Sequence, residues 1–175
     1  MGLMRNDIQA LLELKASGAP IRSVLMIGRQ WMLCVGEELR GLLATYGYTG
    51  EQVSKLFQQD LTFAEPFFAF LGAEKIESLD MSEFEGANII QDLNQPLASQ
   101  YQNLRYDLTV DGGSIEHVFN VPEALRTIMT LTKVGGYTYL GHPANNFCGH
   151  GFYQFSPELM FRVFESSNEI GRAHV

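Results

Sequence analysis

The stretch Tyr106–Gly136, YDLTVDGGSIEHVFNVPEALRTIMTLTKVGG, decides how the chain folds. Tyr106–Val110 alternates apolar and polar residues and stops at Asp111-Gly112-Gly113, the pattern of a strand that delivers a carboxylate to a flexible turn. Asn120 then stands where a helix cap is needed. Pro122 and Glu123 fall in the first turn, and Leu125, Ile128, Met129 and Leu131 recur at helical spacing. Lys133-Val134-Gly135-Gly136 brings a basic residue and two glycines to end that helix, and Tyr137–Leu140 begins a strand at once. Strand, loop, helix and strand in one sheet make a right-handed crossover between parallel strands, so the stretch predicts an α/β fold.

Upstream, residues 4–17 place Ile8, Leu11, Leu12 and Leu14 on one face of an N-terminal helix that Gly18-Ala19-Pro20 stops. Ile21–Ile27 is an apolar run closed by Gly28, which fits a buried central strand. A helix is expected over 32–46, with Leu33, Leu39, Leu42 and Leu43 inward, and capping-box spacings at Thr49/Gln52 and Thr62/Glu65 predict short helices over 50–58 and 63–71. Phe63, Phe67, Phe68 and Phe70 suit either a pocket wall or plain core, and core is the commoner fate of helical aromatics. Lys75–Leu79 and Asn88–Leu93 read as further strands, ending at Asp80 and at Asp92-Leu93-Asn94.

Composition narrows the function. The chain has 175 residues, 46% hydrophobic and 18% charged, enough for one domain with a single buried core. A net charge of −8 and only 12 Lys and Arg argue against nucleic-acid binding, which needs clustered cations. Cys34 and Cys148 are too few for a disulfide framework, the start MGLMRNDIQ lacks a signal-peptide core, and no apolar run approaches a membrane span. A cytoplasmic protein with no membrane partner is the expectation. Ile170–Val175 reads as a non-native tail, so the single domain is expected over 1–168, with the N-terminal helix in 1–20 and the core in 21–166.

The order of a strand-end acid, Glu116-His117-Val118, a proline-bearing helix start, Leu125-Arg126 and Lys133-x-Gly135-Gly136 resembles the second half of class I S-adenosylmethionine-dependent methyltransferases of the type 11-like group. In that group a Glu-His pair precedes the fourth helix and a Lys-Pro-Gly-Gly turn follows it; Val134 takes the place of the proline. The resemblance implies a Rossmann-like, open, mostly parallel sheet flanked by helices, with the closing strands missing beyond the chain's end. It also implies S-adenosylmethionine as cofactor and a small molecule or saccharide as methyl acceptor.

Under the same resemblance Gly28 is what remains of the glycine-rich loop, because Met26 replaces an acid and Gln30 and Met32 occupy the places of glycines. Arg29 would reach the cofactor's carboxylate. Asp80 would hold the ribose hydroxyls, with Glu77 as alternative, and Asp92 the adenine amino group; an Asx turn accounts for Asp92 equally well. Asp111, Glu116 and His117 would line the methyl-donor side.

The loop Gly141-His142-Pro143-Ala144-Asn145-Asn146-Phe147-Cys148-Gly149-His150-Gly151-Phe152-Tyr153 gathers imidazoles, amides and aromatics where an open α/β sheet binds ligands. His142 and His150 with Asn145, Asn146 and Tyr153 are the candidate acceptor-side residues, and His117, His142 and His150 can titrate near neutrality if the acceptor must lose a proton. His142, Cys148 and His150 match no compact zinc spacing, so no metal is expected. Ser156 and Pro157 start a helix running to about Glu165. The rival functions are a non-catalytic Rossmann-like binding module, favoured by the missing glycines, and another nucleotide-dependent enzyme on the same architecture.

Overall fold

The structure is a computed structural model that describes residues 2–165; the 170–175 tail and any closing strands lie outside them. In chain order the elements are β1 (Gly2–Leu3), α1 (Arg5–Ala16), β2 (Ser23–Ile27), β3 (Trp31–Met32), α2 (Gly36–Thr45), α3 (Glu51–Leu56) and α4 (Glu65–Phe70). They continue with β4 (Lys75–Asp80), β5 (Ile89–Ile90), β6 (Tyr106–Asp111), α5 (Val121–Leu131), β7 (Thr132–Leu140) and α6 (Pro157–Val163). Five strands form one open sheet in the order β5-β4-β2-β6-β7, every neighbouring pair parallel. The fold is therefore α/β and Rossmann-like. No described helix is long and apolar enough to cross a membrane.

Strand β2 sits at the centre because both of its faces are apolar. Val24 and Met26 enter a core formed with α1 to α4, and Leu25 and Ile27 enter the opposite one, formed with α5. All four are fully buried. The helical spacing read along 121–131 places Ala124, Leu125, Ile128 and Leu131 in that second core. Phe67 and Phe68 are core as well, with no exposed surface.

Four local readings are corrected. The helix expected from residue 32 starts at Gly36, because Trp31–Met32 is extended and pairs with Gly2–Leu3, while Leu33 and Cys34 donate to the Leu3 carbonyl. The strand expected over 88–93 pairs only at Ile89–Ile90. Beyond it the Gln91 side chain donates to the carbonyls of Asp92, Gln95 and Pro96, and Asp92 folds into an Asx turn with Asn94. Asn120 precedes α5 without capping it, since its side chain donates to Asn94 O at 3.0 Å.

The fourth concerns Lys133–Gly136, which belongs to β7 as a bulge rather than to the end of a helix. Tyr106 pairs with Thr132 and Leu108 with Tyr137, so the extra residues loop out of register. Gly135 takes φ +79°, and a Cβ on Gly136 would stand 2.9 Å from Asp107 O. The bulge aims Lys133 Nζ at Asp107 Oδ1, 2.7 Å away.

Asp107 also accepts from Ser23 N at 2.8 Å and Ser23 Oγ at 2.9 Å, joining three strands at one carboxylate. Burial pushes its pKa up, but the hydrogen bonds from Lys133 and Ser23 and the Lys133 charge outweigh that and hold it below the ordinary value. A depressed carboxyl stabilises the fold fully above its unfolded pKa, near 4, and that contribution is lost as pH falls through the lower folded value. Asp107→Asn is expected to lose about 2 kcal/mol at neutral pH and to flatten the acid limb of a stability curve measured by urea unfolding from acid to neutral pH.

Candidate functional site

The carboxyl ends of β2, β4, β5 and β6 meet at the point where the chain, having laid strands to one side of β2, crosses to lay them on the other. Ligands of open α/β sheets bind at such a switch point. Two hollows open there, separated by the turn that follows β6.

The first hollow, about 170 Å³, is lined by Gly28, Asp80, Asp92, Asn94, Ser114 and His117 among others. Gly28 takes φ +66° and donates its N–H to Leu79 O at 2.7 Å, a conformation that suits glycine. Asp80 accepts from Ser82 N at 3.3 Å through Oδ1, and Asp92 holds Asn94 N and Nδ2 through Oδ1 at 2.8 and 2.9 Å. Each carboxylate thus makes its turn through one oxygen, and both residues line the hollow. Asn94 also accepts the Asn120 amide at 3.0 Å, tying the loop after β5 to the start of α5.

The second hollow, about 390 Å³, is lined by Asp7, Gly112, Glu116, His142, Pro143, Phe147 and His150 among others. Its floor is a buried chain of charges. Asp111, with no exposed surface, accepts from Ser114 N at 2.7 Å and Ile115 N at 3.2 Å, and its Oδ2 lies 3.5 Å from His142 Nε2. His142 Nδ1 meets Glu116 Oε2 at 2.8 Å, and the His142 side chain is only 4% exposed. His142 Nε2 has no hydrogen-bond partner, because Asp111 is placed as an ion-pair neighbour rather than an acceptor.

These neighbours set one another's protonation. Burial pushes the Asp111 carboxyl up, only partly offset by His142 and the Ser114 hydrogen bonds. Burial also opposes charge on Glu116 and His142, but their mutual hydrogen bond, with the nearby imidazoles acting on Glu116 and the nearby carboxylates on His142, overcomes it, lowering Glu116 and raising His142. The result is an imidazole between two buried carboxylates whose pKa values are pushed in opposite directions, an arrangement able to pass a proton at the floor of the hollow.

The loop after β7 is pinned to this floor. Phe152 N and Tyr153 N donate to Glu116 O at 2.7 and 3.2 Å, and a Cβ on Gly151 would stand 2.7 Å from that oxygen. A glycine is what lets the two backbones touch. His150 arrives with its Nε2 3.6 Å from Glu116 Oε1 and its ring edge-on to His117, centroids 4.8 Å apart.

The structure distributes the sequence-derived candidates unevenly. Gly28, Asp80, Asp92 and His117 share the first hollow, and Glu116, His142 and His150 the second. Asp111 lines neither and acts from beneath. Arg29 is turned aside, its Nε 2.6 Å from Glu65 Oε1, its Nη1 on Glu85 O at 2.8 Å and its guanidinium 3.9 Å over the Phe63 ring. Glu77 pairs with Lys75 and the Tyr106 hydroxyl away from both hollows. Asn145 and Asn146 are exposed on the outer turn of their loop, and Tyr153 donates its hydroxyl to Phe119 O at 2.9 Å.

Two participants escaped sequence reading. Asp7 caps α1 through Met4 N at 2.6 Å and accepts the Tyr139 hydroxyl at 2.5 Å beside the second hollow; its sequence position betrays only the cap. Gln30 is fully buried and folds back onto Ile27 O at 2.7 Å, with Oε1 unpaired and pointing at Gly112.

No protein-family model matches the chain, and no curated protein matches it either.

His142→Leu is expected to leave two buried carboxylates without a cation and to lower unfolding free energy by about 3 kcal/mol. Urea denaturation at neutral pH, compared with the parent chain, measures it.

Proposed function

We propose that the chain binds S-adenosylmethionine through the first hollow and transfers its methyl group to a small molecule or saccharide admitted to the second. The observation that carries this reading is the convergence of Gly28, Asp80 and Asp92, from the ends of three adjacent strands, on one hollow at the switch point. An adenosine fits that set chemically. A carboxylate at Asp80 suits a ribose diol, Asp92 and Asn94 offer acceptors to an amino group, and Gly28 presents backbone with no Cβ in the way.

The cofactor supplies an activated methyl group, and the protein's own part is positioning and proton handling. In-line displacement at a sulfonium needs donor and acceptor held close in a site that excludes water. The turn 112–117, fixed by Asp111, separates the hollows and carries Glu116 toward one and His117 toward the other. Where the acceptor is a hydroxyl or amine, the hydrogen-bonded pair of Glu116 and His142 on the wall of the second hollow is the group that can take its proton.

One observation favours a second reading, a nucleoside-binding module without catalysis. Gln30 fills the space under the loop, and α2 begins only at Gly36, so no helix N-terminus follows Gly28 to receive the rest of a cofactor. Titration calorimetry of the chain with S-adenosylmethionine, adenosine and NAD separates the readings. S-adenosylmethionine is expected to bind, and Asp80→Ala to weaken it about 10- to 100-fold, the worth of charge-assisted hydrogen bonds to the ribose. Adenosine binding equally tightly, with no S-adenosylhomocysteine formed from candidate acceptors, supports the module; absence of all binding overturns both.

A further inference from the structure

We propose that Glu116, His117 and His150 form a binding site for a first-row divalent metal ion of the Zn²⁺ class, with its open coordination positions facing the larger hollow. One ligand atom from each of the three residues lies within 4.8 Å of the others. Two ligands about 2.0–2.1 Å from a tetrahedral metal stand about 3.4 Å apart. His150 Nε2 and Glu116 Oε1 are 3.6 Å apart, too far for a hydrogen bond and close to that spacing. The two imidazole rings meet edge to face, and both histidines are exposed, so small rotations bring their nitrogens onto one ion.

The anchor of the site is built rather than incidental. Glu116 is 1% exposed, its Oε2 is held by His142 Nδ1 at 2.8 Å, and its carbonyl takes two amides from the very loop that carries His150. A ligating carboxylate fixed by a second layer of hydrogen bonds is how proteins orient metal ligands, and here that layer extends through His142 to Asp111. Two imidazoles and one carboxylate suit zinc, iron, cobalt or nickel rather than magnesium or calcium, which take oxygen ligands. Three protein ligands leave positions for water or an acceptor oxygen, the arrangement of reactive rather than structural metal sites. The ion would lie in the wall between the hollows, since His117 lines one and His150 the other.

The inference does not rest on the methyl donor, and its test uses none. The chain, stripped with EDTA, is titrated with Zn²⁺ by calorimetry and with Co²⁺ by visible absorption, both at neutral pH. One ion per chain is expected, with a Co²⁺ spectrum of imidazole-carboxylate ligation. His117→Ala and His150→Ala should each weaken Zn²⁺ by more than the roughly 10- to 100-fold that loss of an outer-layer partner produces. Both side chains are exposed, so circular dichroism should show the fold intact. Cys148→Ala should bind as the parent does, because that thiol is exposed and stands outside the ligand set. No stoichiometric Zn²⁺ binding by the parent, or binding retained in the doubly substituted His117→Ala, His150→Ala chain, overturns the proposal.

Discussion

A carboxylate with no exposed surface at the end of a strand must be answered by donors, and Asp111 is answered from two directions. The amides of Ser114 and Ile115 wrap the following turn around it, and His142 closes from the loop after β7. These contacts bring two loops, distant in the chain, to the same end of the sheet. Desolvation makes an unmatched charge there expensive, so the geometry of the turn and the placing of the imidazole are consequences of one buried acid.

The rest of the site hangs on that arrangement. Because the turn is fixed, Glu116 and His117 leave it side by side and line different hollows. Because His142 is fixed, Glu116 has a hydrogen-bonded partner that lowers its pKa against the effect of burial. The loop after β7 then docks through Gly151 and delivers His150. Across the larger hollow Asp7, from the first helix, holds the Tyr139 hydroxyl, so the N-terminal segment becomes part of the same wall. Arg29, which under the resemblance would have faced the cofactor, instead braces α4 and the segment around Glu85.

Much of the scaffold was legible because it depends on periodicity. The alternation through Tyr106–Val110 and the apolar run Ile21–Ile27 marked strands, the spacing of Leu125, Ile128 and Leu131 marked a helix, and their order implied a parallel sheet. Asp80, Asp92 and Asp111 were visible as acids at strand ends. Where reading failed, a distant partner overrode the local preference. Trp31–Met32 is extended because Gly2–Leu3 lies beside it, Asn120 serves Asn94 instead of α5, and Lys133 is drawn to Asp107 through a bulge. A pattern of nearest neighbours carries no trace of such partners.

The amino-acid order by itself determined which segments bury both faces, which bury one, and which acids terminate strands, since those follow from hydrophobic period and turn chemistry. Only the tertiary structure decided that Asp80 and Asp92 share a hollow while Asp111 lies beneath a second. It alone joined Asp7 to Tyr139 and set Glu116 against His142 and His150. The physical reason is that hydrogen bonds and ion pairs act over a few ångströms of space, and the sheet brings together groups that the chain keeps far apart.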